Sequence, residues 1–144
     1  MKSDKINIFY TDDDPDDVDF FKDAIDAAGS EVNLVARFDG DDLLHLLDNP
    51  PPYPSMIFLD WNMPGKDGAY LLKEIMANQR TREIPVIILS TSDLLENVQR
   101  ARKLGAKMYI TKPNSFKELV EMIKHCLTID WNTFNPDQQR FLYN

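Results

Sequence analysis

The stretch Ser55-Met56-Ile57-Phe58-Leu59-Asp60 decides the fold, because an unbroken apolar run ends there on a carboxylate. The segment Trp61-Asn62-Met63-Pro64-Gly65 follows at once and carries the proline and glycine that commonly end a strand. Short apolar runs bounded in this way are typical of buried strands in parallel sheets. Asp60 is therefore predicted to stand at the carboxyl edge of a sheet, where open α/β folds bind their ligands.

The rest of the chain alternates strand-like and helical patterns. Asp14-Pro15 resembles a helix start, with an aspartate N-cap and a proline in the first turn, and Ser115-Phe116-Lys117-Glu118 is a capping box. Strands are predicted at 5–10, 32–38, 56–60, 84–89 and 108–111, and helices at about 15–28, 43–47, 69–78, 93–104 and from 116 onward. Parallel strands need right-handed crossovers, so this order predicts an α/β fold, a doubly wound parallel sheet with helices on both faces.

Composition limits the classes of function. The chain has 144 residues, 43% of them apolar, which suits one globular domain. Cys126 is the only cysteine, and no apolar stretch is long enough to span a bilayer or form a signal peptide, so a cytoplasmic protein without membrane contact is expected. The net charge of −8 argues against direct DNA binding.

Polar side chains collect where the predicted strands end, at one edge of the sheet. They are Asp12 and Asp13 after the first strand, Asp60 on the third, Ser90 and Thr91 after the fourth, and Lys112 after the fifth. Clustered carboxylates repel one another unless a cation intervenes, and hard oxygen ligands of this kind suit Mg²⁺. A lysine and a hydroxyl at the same point would bind phosphoryl oxygens. Asp60 is thus predicted to be a nucleophile that accepts a phosphoryl group.

Four motifs, in this order and spacing, carry a resemblance to a known family. They are Asp12-Asp13, Asp60-Trp61-Asn62-Met63-Pro64-Gly65, Leu89-Ser90-Thr91-Ser92 and Thr111-Lys112-Pro113. Over about residues 5–127 the chain resembles the CheY-like receiver domain of two-component response regulators, and most of all the stand-alone receivers linked to cyanobacterial phytochromes. The resemblance implies a flavodoxin-like, five-stranded sheet in the order 2-1-3-4-5.

The resemblance also implies a function. A single-domain regulator would accept a phosphoryl group on Asp60 from a histidine kinase or phosphotransfer protein in a phosphorelay, and would then switch a protein-interaction surface. It would be a signalling protein that catalyses only its own phosphoryl transfer and autodephosphorylation. Mg²⁺ would be bound directly by Asp13 and Asp60, through water by Asp12, and by the backbone carbonyl of Asn62.

The remaining roles concern the phosphoryl group and the switch. By resemblance, Ser90 and Lys112 would contact phosphoryl oxygens, and Ser90 would move inward on activation. Tyr109 would be the switch aromatic, although by itself it also fits a half-buried strand position. Pro113 would follow a cis peptide bond. Thr91 and Ser92 are more simply caps for the next helix.

Other readings of the same residues fit less well. A phosphatase of the haloacid-dehalogenase type needs a second aspartate two residues after the nucleophile, where this chain has Asn62. A calcium loop starting at Asp12 would need glycine at position six, which is Asp17. A flavodoxin-like FMN protein would not place Asp14 and its neighbours where a phosphate binds. A pseudo-receiver acting only as an interaction module would not need all the site residues.

The chain divides at about residue 127. Residues 1–127 are predicted to form the receiver and 128–144 an aromatic tail without a separate output domain. The tail's aromatics are expected to pack on the parent domain or, alternatively, to mark a partner site; they are Trp131, Phe134, Phe141 and Tyr143. A homodimer is possible through this tail or through the face of the fourth helix, fifth strand and fifth helix. That face is predicted to be basic through Arg100, Arg102, Lys103, Lys107 and Lys117.

Trp61 is expected to shield the phosphoryl group or to cover a partner surface.

Overall fold

Six parallel strands form one sheet in the order β2-β1-β3-β4-β5-β6 in the computed structural model, which describes residues 5–29, 31–137 and 140–143. The strands are β1 (Ile6–Thr11), β2 (Val32–Arg37), β3 (Met56–Asp60), β4 (Val86–Ser90), β5 (Met108–Thr111) and β6 (Leu142–Tyr143). The helices are α1 (Pro15–Ala28), α2 (Gly40–Asp48), α3 (Gly68–Ala77), α4 (Leu95–Lys103) and α5 (Phe116–Thr128). The predicted doubly wound, flavodoxin-like sheet is confirmed, and a short sixth strand extends the five that were expected.

Side-chain caps fix the start of four helices. Asp14 accepts a hydrogen bond from the backbone N–H of Asp16 at the start of α1, and Ser115 accepts one from Glu118 at the start of α5. Asp39 and Asp67 cap α2 and α3 in the same way. Helix α4 differs, because it begins after Leu94 without a side-chain cap. Ser92 instead accepts a hydrogen bond from the N–H of Leu94 within the loop that precedes this helix.

The sheet separates two apolar clusters, and every residue of β3 and β4 is buried. One cluster joins Ile57 and Leu59 of β3 to α2, α3 and α4, while the other joins Phe58 of the same strand to α1 and α5. This alternation is what a strand buried on both faces requires. The helices therefore lie on both faces, as predicted, and the two covered faces leave the carboxyl edge of the sheet for the polar residues.

The chain after α5 returns to the sheet. Phe134 is buried in the cluster of α1 and α5, and Phe141 is buried in the opposite one. The N–H of Tyr109 donates to the carbonyl of Phe141 at 2.9 Å, and β6 pairs with β5 beside it. The aromatic side chains of this segment therefore pack against the rest of the molecule.

The position of the cis peptide bonds corrects one expectation drawn from the resemblance. The resemblance predicts a cis peptide bond before Pro113, but the cis bonds of the described residues precede Pro51 and Pro52. That prediction is wrong for this structure, because an X–Pro bond favours the trans form by about 0.5–1 kcal/mol and a proline alone does not specify cis.

Among the described residues, no helix is long and apolar enough to cross a membrane.

Candidate functional site

The ends of three central strands and one loop bring the predicted site residues together at the carboxyl edge of the sheet. Asp12 follows β1, Asp60 ends β3 and Ser90 ends β4, and all three are buried. Asp13 is exposed beside them. Carboxylate oxygens of Asp12, Asp13 and Asp60 lie within 4.8 Å of one another, a group able to hold a metal ion.

Asp12 is held by three donors. The hydroxyl of Tyr10 donates to its Oδ2 at 2.5 Å, and the ammonium of Lys112 contacts the same oxygen at 2.9 Å. The backbone N–H of Asp14 donates to its Oδ1 at 3.0 Å. With both oxygens in use, Asp12 is fixed in place, whereas the side chain of Asp13 is exposed to solvent. Sequence reasoning missed Tyr10, although alternation along a strand puts it on the same side as Asp12.

Lys112 lies among carboxylates from three elements. Its Nζ is 2.8 Å from Oδ2 of Asp17, 2.9 Å from Oδ2 of Asp12 and 3.6 Å from Oδ1 of Asp60. Burial lowers the pKa of the Lys112 ammonium, but the hydrogen bonds to Asp17 and Asp12 outweigh it, so this pKa is raised and the residue stays charged. Asp17 is a second residue that the sequence did not single out, because it stands within a run of acidic residues.

The carboxyl group of Asp60 is electrostatically stressed. The pKa of Asp60 is raised to about 7, first by burial and then by the negative charges of Asp12 and Asp13, while the positive charge of Lys112 opposes the shift. A divalent cation would relieve the repulsion among the three carboxylates. The donor set, made of hard carboxylate oxygens with a neighbouring exposed loop at Asn62, fits Mg²⁺.

The hydroxyl groups of Ser90 and Tyr109 lie in a closely packed part of the site. Ser90 is buried, and its Oγ accepts a hydrogen bond from the N–H of Ser92 at 3.1 Å. Tyr109 is also buried, and its hydroxyl donates to the carbonyl of Ser92 at 2.6 Å. Burial raises the pKa of Tyr109, which keeps this donor protonated. Ser90 and Tyr109 thus meet through one loop residue.

Trp61 lies inside the molecule rather than on a partner surface. Only 5% of it is exposed, and its ring meets that of Tyr109 edge to face with 6.5 Å between centroids. The first residue of α3, Gly68, allows this packing, because a Cβ there would lie 2.8 Å from the Cα of Trp61. The residue after Asp60 therefore connects the site to the core.

The comparisons with known proteins agree with this geometry. Residues 8–124 match the family model described as response regulator receiver domain. Over 90 residues the chain is 41% identical to the phosphate regulon transcriptional regulatory protein PhoB of Escherichia coli, covering 62% of this chain and 38% of that protein. Over 73 residues it is 38% identical to the response regulator Rcp1 of Synechocystis sp., covering 51% of this chain and 50% of that protein. The chain thus spans half or less of the length of these curated relatives.

Solved structures of receivers are similar over nearly the whole chain. The phosphorylated cyanobacterial phytochrome response regulator RcpA superimposes with a TM-score of 0.78 at 27% identity, covering 91% of this chain and 96% of that one. The Mn²⁺-bound form of Rcp1 superimposes with a TM-score of 0.75 at 27% identity, covering 90% and 97%. Receiver domains are signalling modules that are phosphorylated on an aspartate. Because the family model matches most of its length, the chain belongs to the response regulator receiver domain family.

Proposed function

We propose that Asp60 accepts a phosphoryl group from a phosphohistidine on a sensor histidine kinase or phosphotransfer protein. An oxygen of Asp60 attacks phosphorus, the P–N bond breaks and the histidine leaves, so that an acyl phosphate forms. The single observation that carries this proposal is the meeting of three carboxylates and Lys112 at the end of β3. A nucleophile, ligands for a cation and a phosphoryl-binding ammonium are thereby present together.

The metal of this site is proposed to be Mg²⁺, bound by Asp13, Asp60 and the backbone carbonyl of Asn62, with Asp12 acting through water. The three donors that already occupy Asp12 support an indirect role for it. Mg²⁺ would supply charge neutralisation at the phosphoryl oxygens. Rcp1, a structural relative, is described in an Mn²⁺-bound form, which supports a divalent cation here.

Ser90 and Tyr109 are proposed to form the switch. A phosphoryl group on Asp60 would offer Ser90 a charged acceptor, and this would compete with the hydrogen bond that its Oγ now accepts from Ser92. Tyr109 donates to the same residue, so a shift of the loop changes its environment. Phosphorylation would in this way bias a two-state equilibrium near α4 and β5.

The protein is proposed to be a switch rather than a turnover enzyme, and to act in the cytoplasm without binding DNA directly. It would catalyse only its own phosphorylation and the hydrolysis of its acyl phosphate. The phosphatase alternative predicts sustained turnover of a generic phosphomonoester such as p-nitrophenyl phosphate, which a receiver would not support.

A homodimer is proposed through the face of α4, β5 and α5 or through the tail. Two basic residues of this face already contact the tail, since Arg102 pairs with Asp137 at 2.8 Å and Nζ of Lys107 lies 3.5 Å from the carbonyl of Phe134. The tail is therefore part of the surface that a second copy would meet. Light scattering of a variant lacking residues 128–144 tests this idea, and an unchanged oligomeric state would exclude the tail from the interface.

Mass spectrometry after incubation with Mg²⁺ and acetyl phosphate tests the central proposal. The wild-type protein is expected to gain one phosphoryl group, and the Asp60→Asn variant none. Asp93→Asn serves as the matched control, because it removes an exposed carboxylate from a nearby loop and should leave the mass gain intact. A mass gain that persists in Asp60→Asn would place the acceptor elsewhere.

A further inference from the structure

The closest carboxylate to the ammonium of Lys112 belongs to none of the residues assigned above. Oδ2 of Asp17 lies 2.8 Å from Nζ of Lys112, nearer than either Asp12 or Asp60. Asp17 is not one of the three carboxylates that could hold a metal among the described residues. Its contact with Lys112 joins the first turn of α1 to the end of β5, across 95 positions of sequence.

The geometry leaves one donor of Lys112 for the phosphoryl site. An ammonium has three N–H groups, and Asp17 and Asp12 accept hydrogen bonds at 2.8 and 2.9 Å. Asp60 lies at 3.6 Å, which is too long for a hydrogen bond. A phosphoryl oxygen carried by Asp60 would extend toward the ammonium and could take the third donor. Lys112 is therefore held near Asp60 while one N–H of its ammonium remains for a phosphoryl oxygen.

Asp17 is well placed to act as an anchor. It belongs to a helix whose start is fixed by the Asp14 cap and by Pro15, and whose buried side chains pack in the same cluster as α5. The lysine side chain, by contrast, is long and flexible, and a free ammonium would sample many positions. A rigid partner on a neighbouring element limits this freedom, as second partners do for other site residues.

We propose that Asp17 is a positioning residue that holds the Lys112 ammonium where a phosphoryl group on Asp60 will meet it. The inference rests on the proposed function, and Asp17 itself touches neither the phosphoryl group nor the metal. Its effect on phosphoryl transfer passes entirely through Lys112.

The kinetic test compares Asp17→Ala, Asp17→Asn and the control Asp16→Asn, which removes a charge from an exposed neighbour on the same turn. The measured quantity is the rate constant for phosphorylation by acetyl phosphate in saturating Mg²⁺. Asp17→Ala is expected to lower it about tenfold, because even a misplacement of about 1 Å at a reacting centre can cost about 10²-fold in rate and the remaining contact with Asp12 limits the displacement of Lys112. Asp17→Asn keeps an acceptor oxygen and should lose less, and Asp16→Asn should change the rate less than twofold.

A double-mutant cycle with Lys112→Ala shows whether Asp17 acts through the lysine. If it does, Asp17→Ala adds no further loss in the Lys112→Ala background. An equal loss in both backgrounds, or the same loss in Asp16→Asn as in Asp17→Asn, would overturn the proposal in favour of a general charge effect. Circular dichroism of each variant identifies any that fails to fold, in which case the milder Asp17→Asn carries the test.

A spectroscopic readout separates this inference from the proposed function. An ammonium held by two carboxylates exchanges its protons slowly, so Lys112 should give a distinct ¹H–¹⁵N NMR signal at low temperature. The signal is expected to disappear in Asp17→Ala and to persist in Asp16→Asn, and no phosphoryl group is needed to see it. A signal that survives in Asp17→Ala would overturn the inference, whereas a wild-type protein that gains no phosphoryl group would overturn the function.

Discussion

The carboxyl end of β5 and its outer edge lie only a few residues apart, yet they make different kinds of interaction with the rest of the molecule. At the carboxyl end, Lys112 stands among the carboxylates of Asp12, Asp17 and Asp60. Along the edge, β6 pairs with β5, and the buried ring of Phe141 packs into the cluster of α2, α3 and α4. One region concentrates charge, and the other buries apolar surface.

This difference separates function from stability along a single strand. Buried like charges oppose folding, as the raised pKa of Asp60 indicates, and under the proposed function they are retained because a cation and a phosphoryl group would bind there. Burial of an aromatic ring, by contrast, stabilises the fold directly. Changes at the site should therefore alter function more than folding, and changes at the edge should do the reverse.

The largest effect is expected from Phe141→Ala at the edge. Phe141 is 6% exposed, and truncation of a buried phenylalanine lowers the free energy of unfolding by about 3 kcal/mol. Phe38→Ala is the matched control, because 49% of Phe38 is exposed and its loss should cost less than about 0.5 kcal/mol. Urea denaturation measures both. Equal losses in the two variants would mean that the tail does not stabilise the domain.

The second effect is the response of stability to Mg²⁺. At a free Mg²⁺ concentration about 100 times the dissociation constant, binding to the folded state alone should raise the free energy of unfolding of the wild-type protein by about 2.7 kcal/mol. Phe141→Ala should show the same increase, because it leaves the carboxylates in place, while Asp13→Asn should show much less. Thermal denaturation with and without Mg²⁺ measures this. A full response in Asp13→Asn would move the metal away from the predicted ligands.

The smallest effect is expected from Asp60→Asn without metal. The pKa of Asp60 is about 7 in the folded protein against an ordinary value of 3.8, so between these values the folded state keeps a proton that the unfolded state has released. Stability contributed by this group therefore falls as the pH rises from about 4 to 7. Asp60→Asn removes that loss. In EDTA at pH 8, the free energy of unfolding of the variant should exceed that of the wild type by about 1 kcal/mol, a value that allows for screening by nearby solvent.

The advantage of Asp60→Asn should shrink as the pH falls toward 4, where the carboxyl group of the wild type is protonated in the folded state and the unfolded state begins to take up the proton. Denaturation at a series of pH values measures it. A variant less stable than the wild type at pH 8 would show that the carboxylate is favourably bound even without metal. The conclusion that the charged site opposes folding while the apolar edge stabilises the fold would then be wrong.

Several site residues could be predicted from sequence because the carboxyl ends of parallel strands lie at one edge of the sheet. Asp60 ends a buried apolar run, and Ser90 and Lys112 follow two others, so a parallel sheet collects them without further information. Tyr10 and Asp17 could not be selected in this way. An aromatic residue in a strand and one aspartate among many are common patterns, and only their contacts with Asp12 and Lys112 distinguish them.

The sequence by itself determined the order of strands and helices, the N-caps of α1 and α5 and the edge at which the carboxylates meet, because hydrophobic periodicity and capping are local signals. Only the tertiary structure decided what depends on residues far apart in sequence. It buried Trp61 against Tyr109 and gave Lys112 its partner on α1. It also added β6 to the sheet, since a two-residue strand has no periodicity of its own and forms only because the edge of β5 offers backbone partners.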